Sequence, residues 1–210
     1  MEKQALVFVL LLVAMAGVFV LLWRIGAAMA QKALDNLRVL AGRLKISVVE
    51  KPKKFGVHPP PEAVGFVRGK QVRLFNYTTG TGKSKTTWSA IAVTPAVASG
   101  LSFELLPQGF GSKVLELFGA RELQVGDAAF DKKWFVRCNQ PAFFAAALLP
   151  EIRQKIMGSA AGRWKLQEGI VTYSELGLFS DAARCERFTA LADVACDLAD
   201  LAEVFARRQT

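Results

Sequence analysis

The chain begins with one uninterrupted apolar run. Residues 5–23 read ALVFVLLLVAMAGVFVLLW and contain no charged side chain and no side-chain amide. At ~1.5 Å per residue, a helix of this length covers nearly the ~30 Å of a bilayer's hydrocarbon core and satisfies its own backbone hydrogen bonds there. The pattern therefore predicts a transmembrane anchor over residues 1–23.

A cleaved signal peptide is the alternative for this run, because Ala28-Met29-Ala30 resembles a cleavage site. Signal peptides have shorter apolar stretches, of ~7–15 residues, and a more basic start than this chain has. These differences favour a retained, single-pass anchor.

The charges on either side of the run predict its orientation. Lys3 is the single basic residue before it, whereas four basic residues follow within about twenty positions: Arg24, Lys32, Arg38 and Arg43. Under the positive-inside rule, the N-terminus then lies outside the cytoplasmic (inner) membrane and the C-terminal domain lies in the cytosol.

Residues 24–62 are expected to form a basic juxtamembrane helix and a proline-rich linker. Apolar residues recur there at helical spacing, which predicts a helix leaving the bilayer with a stripe of Leu34, Leu37, Ala41 and Leu44. Such a stripe packs on its own domain or pairs with a second copy in a homo-oligomer. The run KPKKFGVHPPPE then interrupts regular structure, since successive prolines favour an extended backbone.

From Ala63 the pattern becomes that of β-strands. The segments AVGFVRG, QVRLFNYT and KTTWSAIAVTP are rich in β-branched and aromatic residues and alternate in polarity. Turns are expected at Gly69-Lys70 and around Gly80 and Gly82. With LSFELLP as a further short strand, this part predicts an antiparallel meander.

The second half alternates helices with short strands. GSKVLELFG predicts a helix, RELQVGDAAFDKKWFVRC one or two strands around a turn at Gly126-Asp127, and RWKLQEGIVTYSEL a hairpin around Glu168-Gly169. In NQPAFFAAALLPEIRQKIMG, Pro150 is expected to kink the helix or to start a second one. Ser180 is expected to cap a long C-terminal helix with one apolar face, formed by Phe188, Leu191, Ala195, Leu198, Ala202 and Phe205.

Together these elements predict the α+β class, with an N-terminal transmembrane helix and one domain over residues 63–210. In that domain an antiparallel sheet is packed by helices on one side, including the long C-terminal helix.

The net charge of +9 is concentrated beside the anchor. Residues 24–73 hold eleven basic and three acidic side chains, whereas residues 76–210 hold fifteen and fourteen. Anionic lipid attracts basic residues near its surface by ~1 kcal/mol each. The candidates for contact with the lipid surface are Arg24, Lys32, Arg38, Arg43, Lys45, Lys51, Lys53 and Lys54. Nucleic acid is not expected as a partner, because these residues are not interleaved with aromatics and no recognition motif accompanies them.

The run NYTTGTGKSKTTW invites comparison with a phosphate-binding loop. A Walker A motif, GxxxxGK[ST], would place its first glycine at position 77, which is Tyr77 here. In a true phosphate loop the lysine also starts a helix, whereas Lys83 leads into a predicted strand. The run is therefore predicted to be an exposed hairpin tip, in which Lys83→Ala changes neither stability nor function much.

No catalytic residue, cofactor site or metal site emerges from the remaining polar residues. His58 lies in the proline-rich segment without ligands at metal-binding spacing, and the three cysteines lack a CxxC pair, which favours reduced, buried thiols. The carboxylates that an enzyme could use are Asp127 and Asp131, or a helical face with Asp193, Asp197 and Asp200. Their expected roles are turn formation and a solvated acidic face.

A resemblance to a known class of proteins rests on three segments that are followed by a C-terminal helix. The segments are RGKQVRLFNYTTGTGKSKTTW, LFGARELQVGDAAFDKKWFVRC and ALLPEIRQKI. The succession resembles a class of uncharacterised bacterial single-pass membrane proteins with a domain of unknown function. GDAAFDKKWFV is the most distinctive part. The resemblance implies the architecture of residues 63–205 and no catalytic residues.

The leading hypothesis is a membrane-anchored, cytosol-facing module that binds or scaffolds an unknown protein partner. The alternatives are a membrane-associated enzyme that uses carboxylates of the domain, and an exported envelope protein. A pocket with converging polar groups would favour the enzyme, and a continuous groove or free strand edge would favour the binding module.

Overall fold

A computed structural model describes residues 2–50, 59–97, 100–108, 122–159 and 162–209. The five helices in these ranges are α1 (Glu2–Leu44), α2 (Ala128–Lys133), α3 (Pro141–Ala147), α4 (Pro150–Met157) and α5 (Ala182–Arg207). The eight strands are β1 (Ser47–Val49), β2 (Glu62–Val67), β3 (Lys70–Thr79), β4 (Thr86–Thr94), β5 (Phe103–Pro107), β6 (Trp134–Cys138), β7 (Arg163–Gln167) and β8 (Ile170–Leu176). The predicted α+β class is confirmed.

Helix α1 joins the apolar run to the domain without a break. It contains a window, within Leu10–Leu44, that is long and apolar enough to cross a membrane, and none of that window is buried within the protein. The last third of the helix is different, because Leu37, Leu40 and Ala41 are buried against the domain. The helix ends at Lys45, which adopts a left-handed φ of 56°, and the Ile46 amide donates to the Ala41 carbonyl.

All eight strands form one antiparallel sheet in the order β1-β2-β3-β4-β8-β7-β5-β6. Strands β2, β3 and β4 form the predicted meander, with Leu74 opposite Ala63 on one side and Ile91 on the other. Strand β5 does not extend that meander, because it pairs with β6 and β7 while β8 occupies the edge of β4.

Helix α5 covers one face of the sheet, as its apolar face predicts. All six predicted face residues are buried, and Tyr173 of β8 packs edge-on against Phe188, with ring centroids 5.6 Å apart. The short helix α3 lies beside α5, where Phe143 approaches Phe205 at 4.8 Å. On α1, Leu37 and Ala41 of the predicted stripe are buried and Leu34 and Leu44 are half-buried, so this stripe packs largely on its own domain.

The domain begins earlier than the predicted boundary at residue 63. Strand β1 pairs with β2, and the end of α1 packs on α5, so the residues assigned to a juxtamembrane helix and linker partly belong to the core. The sequence obscured this because β1 has only three residues, too few for an alternating pattern.

Several local expectations are corrected by one or a few residues. The β2–β3 turn is Arg68-Gly69, both with positive φ, and Lys70 is the first residue of β3. Asp127 caps α2 rather than forming a strand turn, so that segment holds one described strand. Asp181 rather than Ser180 caps α5. Pro150 starts the separate helix α4, which is one of the two outcomes expected of it. The helix predicted from GSKVLELFG lies outside the described residues.

Candidate functional site

A largely apolar groove lies between α4 and α5, with the end of α3 at one side. It has a volume of about 510 Å³. Its apolar lining includes Leu149 and Val204, whose side chains are 51% and 44% exposed and thus not covered by the domain itself. The other apolar lining residues are Phe143, Ala146, Ala147, Ile152 and Leu201.

Charged residues border this groove, and most of them form ion pairs. Lys155 lies 2.6 Å from one carboxylate oxygen of Asp197, and Arg68 lies 2.6 Å from the other. Burial would raise the pKa of Asp197, but the hydrogen bonds from Lys155 and Arg68 outweigh it and hold the pKa below its ordinary value. This carboxylate is therefore ionised and neutralised at neutral pH, which suits a structural link between α4, α5 and the β2–β3 turn.

The acidic face of α5 is consequently not the solvated surface that its sequence suggested. Asp200 contacts Arg68 at 2.7 Å and Lys70 at 2.8 Å, which ties the helix to the tip of the β2–β3 hairpin. Asp193 remains exposed. Within the described ranges, no group of three or more His, Cys, Asp or Glu side chains could hold a metal ion.

The other carboxylates considered for an enzyme serve the backbone. Asp127 accepts hydrogen bonds from the amides of Ala129 and Phe130 at the start of α2. Asp131 accepts one from the Val125 amide at 3.0 Å. Because each carboxylate stabilises local structure and faces no histidine in the described chain, the pair has the geometry of a capped turn rather than of an acid–base site.

A second cleft, of about 590 Å³, lies where β5, β6 and β7 meet. Its polar groups largely satisfy one another: Arg137 lies 3.6 Å from Glu104, and Asn139 bonds to the backbones of Gly100 and Ser102. The cleft therefore leaves fewer groups for a ligand than its size suggests.

The three thiols are unpaired, as expected, and Cys185 and Cys196 are buried. Burial raises the pKa of all three, that of Cys196 to about 11, so each is a neutral thiol at physiological pH. His58 lies outside the described residues.

The GTGKS run forms a hairpin tip, as predicted. Strand β3 ends at Thr79 and β4 starts at Thr86, with a single turn of 3-10 helix over Gly82–Ser84 between them. Gly80 has a φ of 81°, and a Cβ there would lie 2.3 Å from the Ser84 carbonyl oxygen, so only glycine fits.

The lipid-surface candidates do not form one cluster. Arg24 and Lys32 are exposed on α1, and Lys45 follows its last turn. Arg38 is paired with Asp35 and with Glu50, at 3.3 and 2.6 Å. Arg43 is exposed in the last turn of α1, whereas Lys51, Lys53 and Lys54 lie outside the described residues.

Sequence reasoning missed the groove and the buried ion pairs behind it. Lys70 and Glu203 are 133 positions apart, and no local pattern connects them. A weak signal did exist for the groove, since Leu149 and Val204 are apolar residues outside the predicted core stripes.

No family model and no curated protein sequence matches this chain. Among solved structures, the fold is similar to the crystal structure of the mycobacterial trehalose monomycolate transport factor A, TtfA, with a TM-score of 0.50 and 11% sequence identity. The similarity covers 82% of this chain and 93% of that chain. At this identity the likeness shows a shared fold, with a long apolar N-terminal helix, an antiparallel sheet and a long C-terminal helix in this chain.

Proposed function

We propose that this protein is a single-pass anchored binding module that holds an apolar helix of a membrane-associated partner protein in the groove between α4 and α5. The observation that carries the proposal is this uncovered groove, on a domain that α1 joins rigidly to an apolar, membrane-length helix. The neighbouring fold is that of a transport factor, and an accessory role beside a membrane transport system agrees with a domain that binds rather than catalyses.

A helix is the occupant that best matches the groove. Two helices form its walls, and apolar side chains line the floor while charges of both signs, Glu151, Lys155 and Arg208, stand at the rim. An amphipathic helix uses this combination, placing its apolar side chains in the groove and its polar ones against the rim.

The proposed location is the cytosolic side of the inner membrane, with the N-terminus outside. The basic residues after the anchor support this orientation. Continuity of α1 supports a retained anchor, because Ala28 and Ala30 lie inside a helix that runs on into the core. A phosphatase that is active only outside the cytosol, fused to the C-terminus, should be inactive; an active fusion would favour the exported envelope protein.

Anionic lipid is a proposed second partner, chiefly through Arg24 and Lys32. Along a helix perpendicular to the membrane, Lys32 lies about 13 Å beyond Trp23, whereas Arg38 lies about 22 Å beyond it. Exposed charges are screened over ~8 Å at physiological salt. Arg38, Arg43 and Lys45 therefore contribute less to lipid attraction than the sequence suggested.

Photocrosslinking in native membranes tests the groove. A photoreactive amino acid at Val204 of the full-length protein should give a discrete crosslinked protein, and Leu149→Glu should abolish it. The matched position is Ile170, which is 40% exposed but lies on β8, away from the groove. A crosslink that appears equally from Ile170, or that survives Leu149→Glu, would contradict the proposed site.

The enzyme alternative lacks a comparable observation. The carboxylates suggested for it are engaged as caps or in ion pairs, apart from the exposed Asp193. A catalytic acid or base needs a poised pKa and access to substrate. The low pKa and paired oxygens of Asp197 meet neither condition.

A further inference from the structure

We propose that the tip of the β3–β4 hairpin, residues 80–85, docks on the anionic phospholipid headgroups of the membrane that α1 crosses. The proposal rests on the anchoring and orientation proposed above, and adds a second contact between the domain and the bilayer. It gives a role to the GTGKSK run, which lacks the spacing and the following α-helix of a Walker A loop.

The direction of the hairpin follows from the strand order. After α1 ends, the chain turns back along it, so that Glu50 just beyond β1 lies 2.6 Å from Arg38 in the helix. Strand β1 therefore runs towards the membrane end of α1. Since β2 is antiparallel to β1, and β3 is antiparallel to β2, β3 also runs towards the membrane and ends in the tip.

A second set of contacts gives the same direction. Strand β8 is antiparallel to β4, so its C-terminal end lies beside the root of the hairpin, where the Gly177 amide donates to the Thr87 carbonyl at 2.9 Å. Two residues further on, the Phe179 carbonyl accepts a hydrogen bond from the Asn36 side chain at 2.8 Å. Thr87, at the root of the hairpin where β4 begins, therefore lies at about the same height along the axis of α1 as Asn36.

The remaining distance fits the headgroup layer. Asn36 lies about 20 Å along the helix from Trp23, at 1.5 Å per residue. From Thr87 the tip extends about 10 Å further towards the membrane, at roughly 3.3 Å per residue. The headgroup region adds about 5 to 8 Å outside the hydrocarbon core, so an extended lysine side chain at the tip closes the gap.

The tip has the charge and exposure that anionic headgroups require. All residues from 78 to 85 are exposed, and within the described chain neither Lys83 nor Lys85 forms an ion pair. The run from Asn76 to Trp88 contains no acidic residue, and its threonine and serine hydroxyls are available to phosphate oxygens. The hairpin tip is thus a cationic surface whose two lysines have no acidic partner among the described residues, and it is directed at an anionic layer.

The root of the hairpin is held by contacts among its own side chains and Arg163. Tyr77 and Trp88 stack with ring centroids 6.3 Å apart on the sheet face opposite α5, and the Arg163 guanidinium lies 4.7 Å from the Trp88 ring. Docking would also fix the domain's rotation about α1. The groove at the far end of α5 would then point away from the bilayer.

The experiment uses the full-length protein in nanodiscs of phosphatidylcholine alone or mixed with phosphatidylglycerol. A spin label is placed at Thr81→Cys in a Cys138→Ser background, since the other two cysteines are buried. We expect the label to lose access to a water-soluble relaxing agent only in the discs that contain phosphatidylglycerol, and to regain it as salt rises.

Removing the charges should reverse the effect. Each lysine near an anionic surface is worth about 1 kcal/mol, so the docked-to-undocked ratio should fall about fivefold for Lys83→Ala or Lys85→Ala and further in the double variant. The matched control, Lys165→Ala with Arg137→Ala, removes two charges from strands further from α1 and should leave the ratio unchanged.

The outcomes separate this proposal from the one on which it depends. If the protein does not stay in the discs, the anchor itself is wrong. If it stays but the label is equally accessible in both lipids, the anchor stands and hairpin docking is overturned. An equal loss of docking in the control variant would also overturn it, because it would show a diffuse charge effect.

Discussion

Lys70 and Glu203 form a buried ion pair that joins the start of β3 to α5, with Nζ 2.5 Å from Oε1. Their side chains are only 7% and 9% exposed. The second function of Glu203 is to accept the Ala96 amide at 2.8 Å, which holds the chain after β4. One carboxylate thus connects β3, α5 and the chain that follows β4.

Lys70→Met should destabilise the protein strongly, because it removes the nearest cation from the buried Glu203 carboxylate and leaves, among the described residues, only Arg207 at 3.9 Å. Breaking such a pair costs about 3–5 kcal/mol, whereas replacing both partners with apolar residues is often nearly neutral. The double variant Lys70→Met/Glu203→Leu should therefore recover much of the loss. Urea unfolding in detergent measures both, with Lys165→Met as an exposed control. A double variant no more stable than Lys70→Met would contradict a role through the charge.

The same pair predicts a pH window for stability. Burial disfavours both charged forms, but hydrogen bonds prevail: those that Lys70 donates to Asp200 and Glu203 raise the pKa of Lys70, and those that Glu203 accepts from Lys70 and the Ala96 amide lower the pKa of Glu203. The lowered carboxyl pKa contributes stability that is present above about pH 4.5 and is lost as pH falls through the folded value. The raised ammonium pKa contributes stability that is present below about pH 10.4 and is lost as pH rises through the folded value.

The Tm difference between the natural protein and Lys70→Met/Glu203→Leu tests this window. The Tm difference should be constant across neutral pH. At both acid and alkaline extremes, the Tm of the natural protein should fall relative to that of the double variant. A difference that stays constant through both extremes would show that the pair does not titrate with unfolding.

Gly162→Ala should destabilise the domain by about 1–3 kcal/mol through overpacking. A Cβ at this buried position would lie 2.3 Å from the Tyr173 ring, which cannot move away because it is buried and its hydroxyl donates to Glu175. Gly158→Ala is the control, since its Cβ would make an ordinary contact at 3.4 Å. Thermal unfolding should separate the two, and equal Tm values would mean that the Tyr173 ring yields.

Lys83→Ala should change the free energy of unfolding by no more than about 0.5 kcal/mol in detergent, because an exposed lysine at a hairpin tip has few partners. Magnesium with ATP or GTP should not raise the Tm of the natural protein, since no helix starts at the lysine. A saturable, magnesium-dependent increase that Lys83→Ala removes would instead support a phosphate-binding loop.

The sequence was most informative where one pattern extends over many residues. The apolar run, the stripe on α5 and the alternation in β3 and β4 each repeat several times, so helix, strand and buried face could be predicted with their positions. Short elements were harder, because three residues of β1 and six of α2 are too few to establish a period. The predicted caps and turns differ by one residue from those in the structure, as at Asp181 and Arg68. The reason is that neighbouring polar residues suit the same position.

The candidate site could not be read in the same way. The sequence by itself determined the membrane-length helix, the α+β class and the absence of Walker A spacing at Lys83, because each depends on residues close together in the chain. Only the tertiary structure decided that Lys70 meets Glu203, that Leu149 and Val204 share one groove, and that the Phe179 carbonyl meets Asn36 on α1. These relations depend on the order of strands and the packing of α5. Both are set by the burial of the whole core rather than by any local pattern.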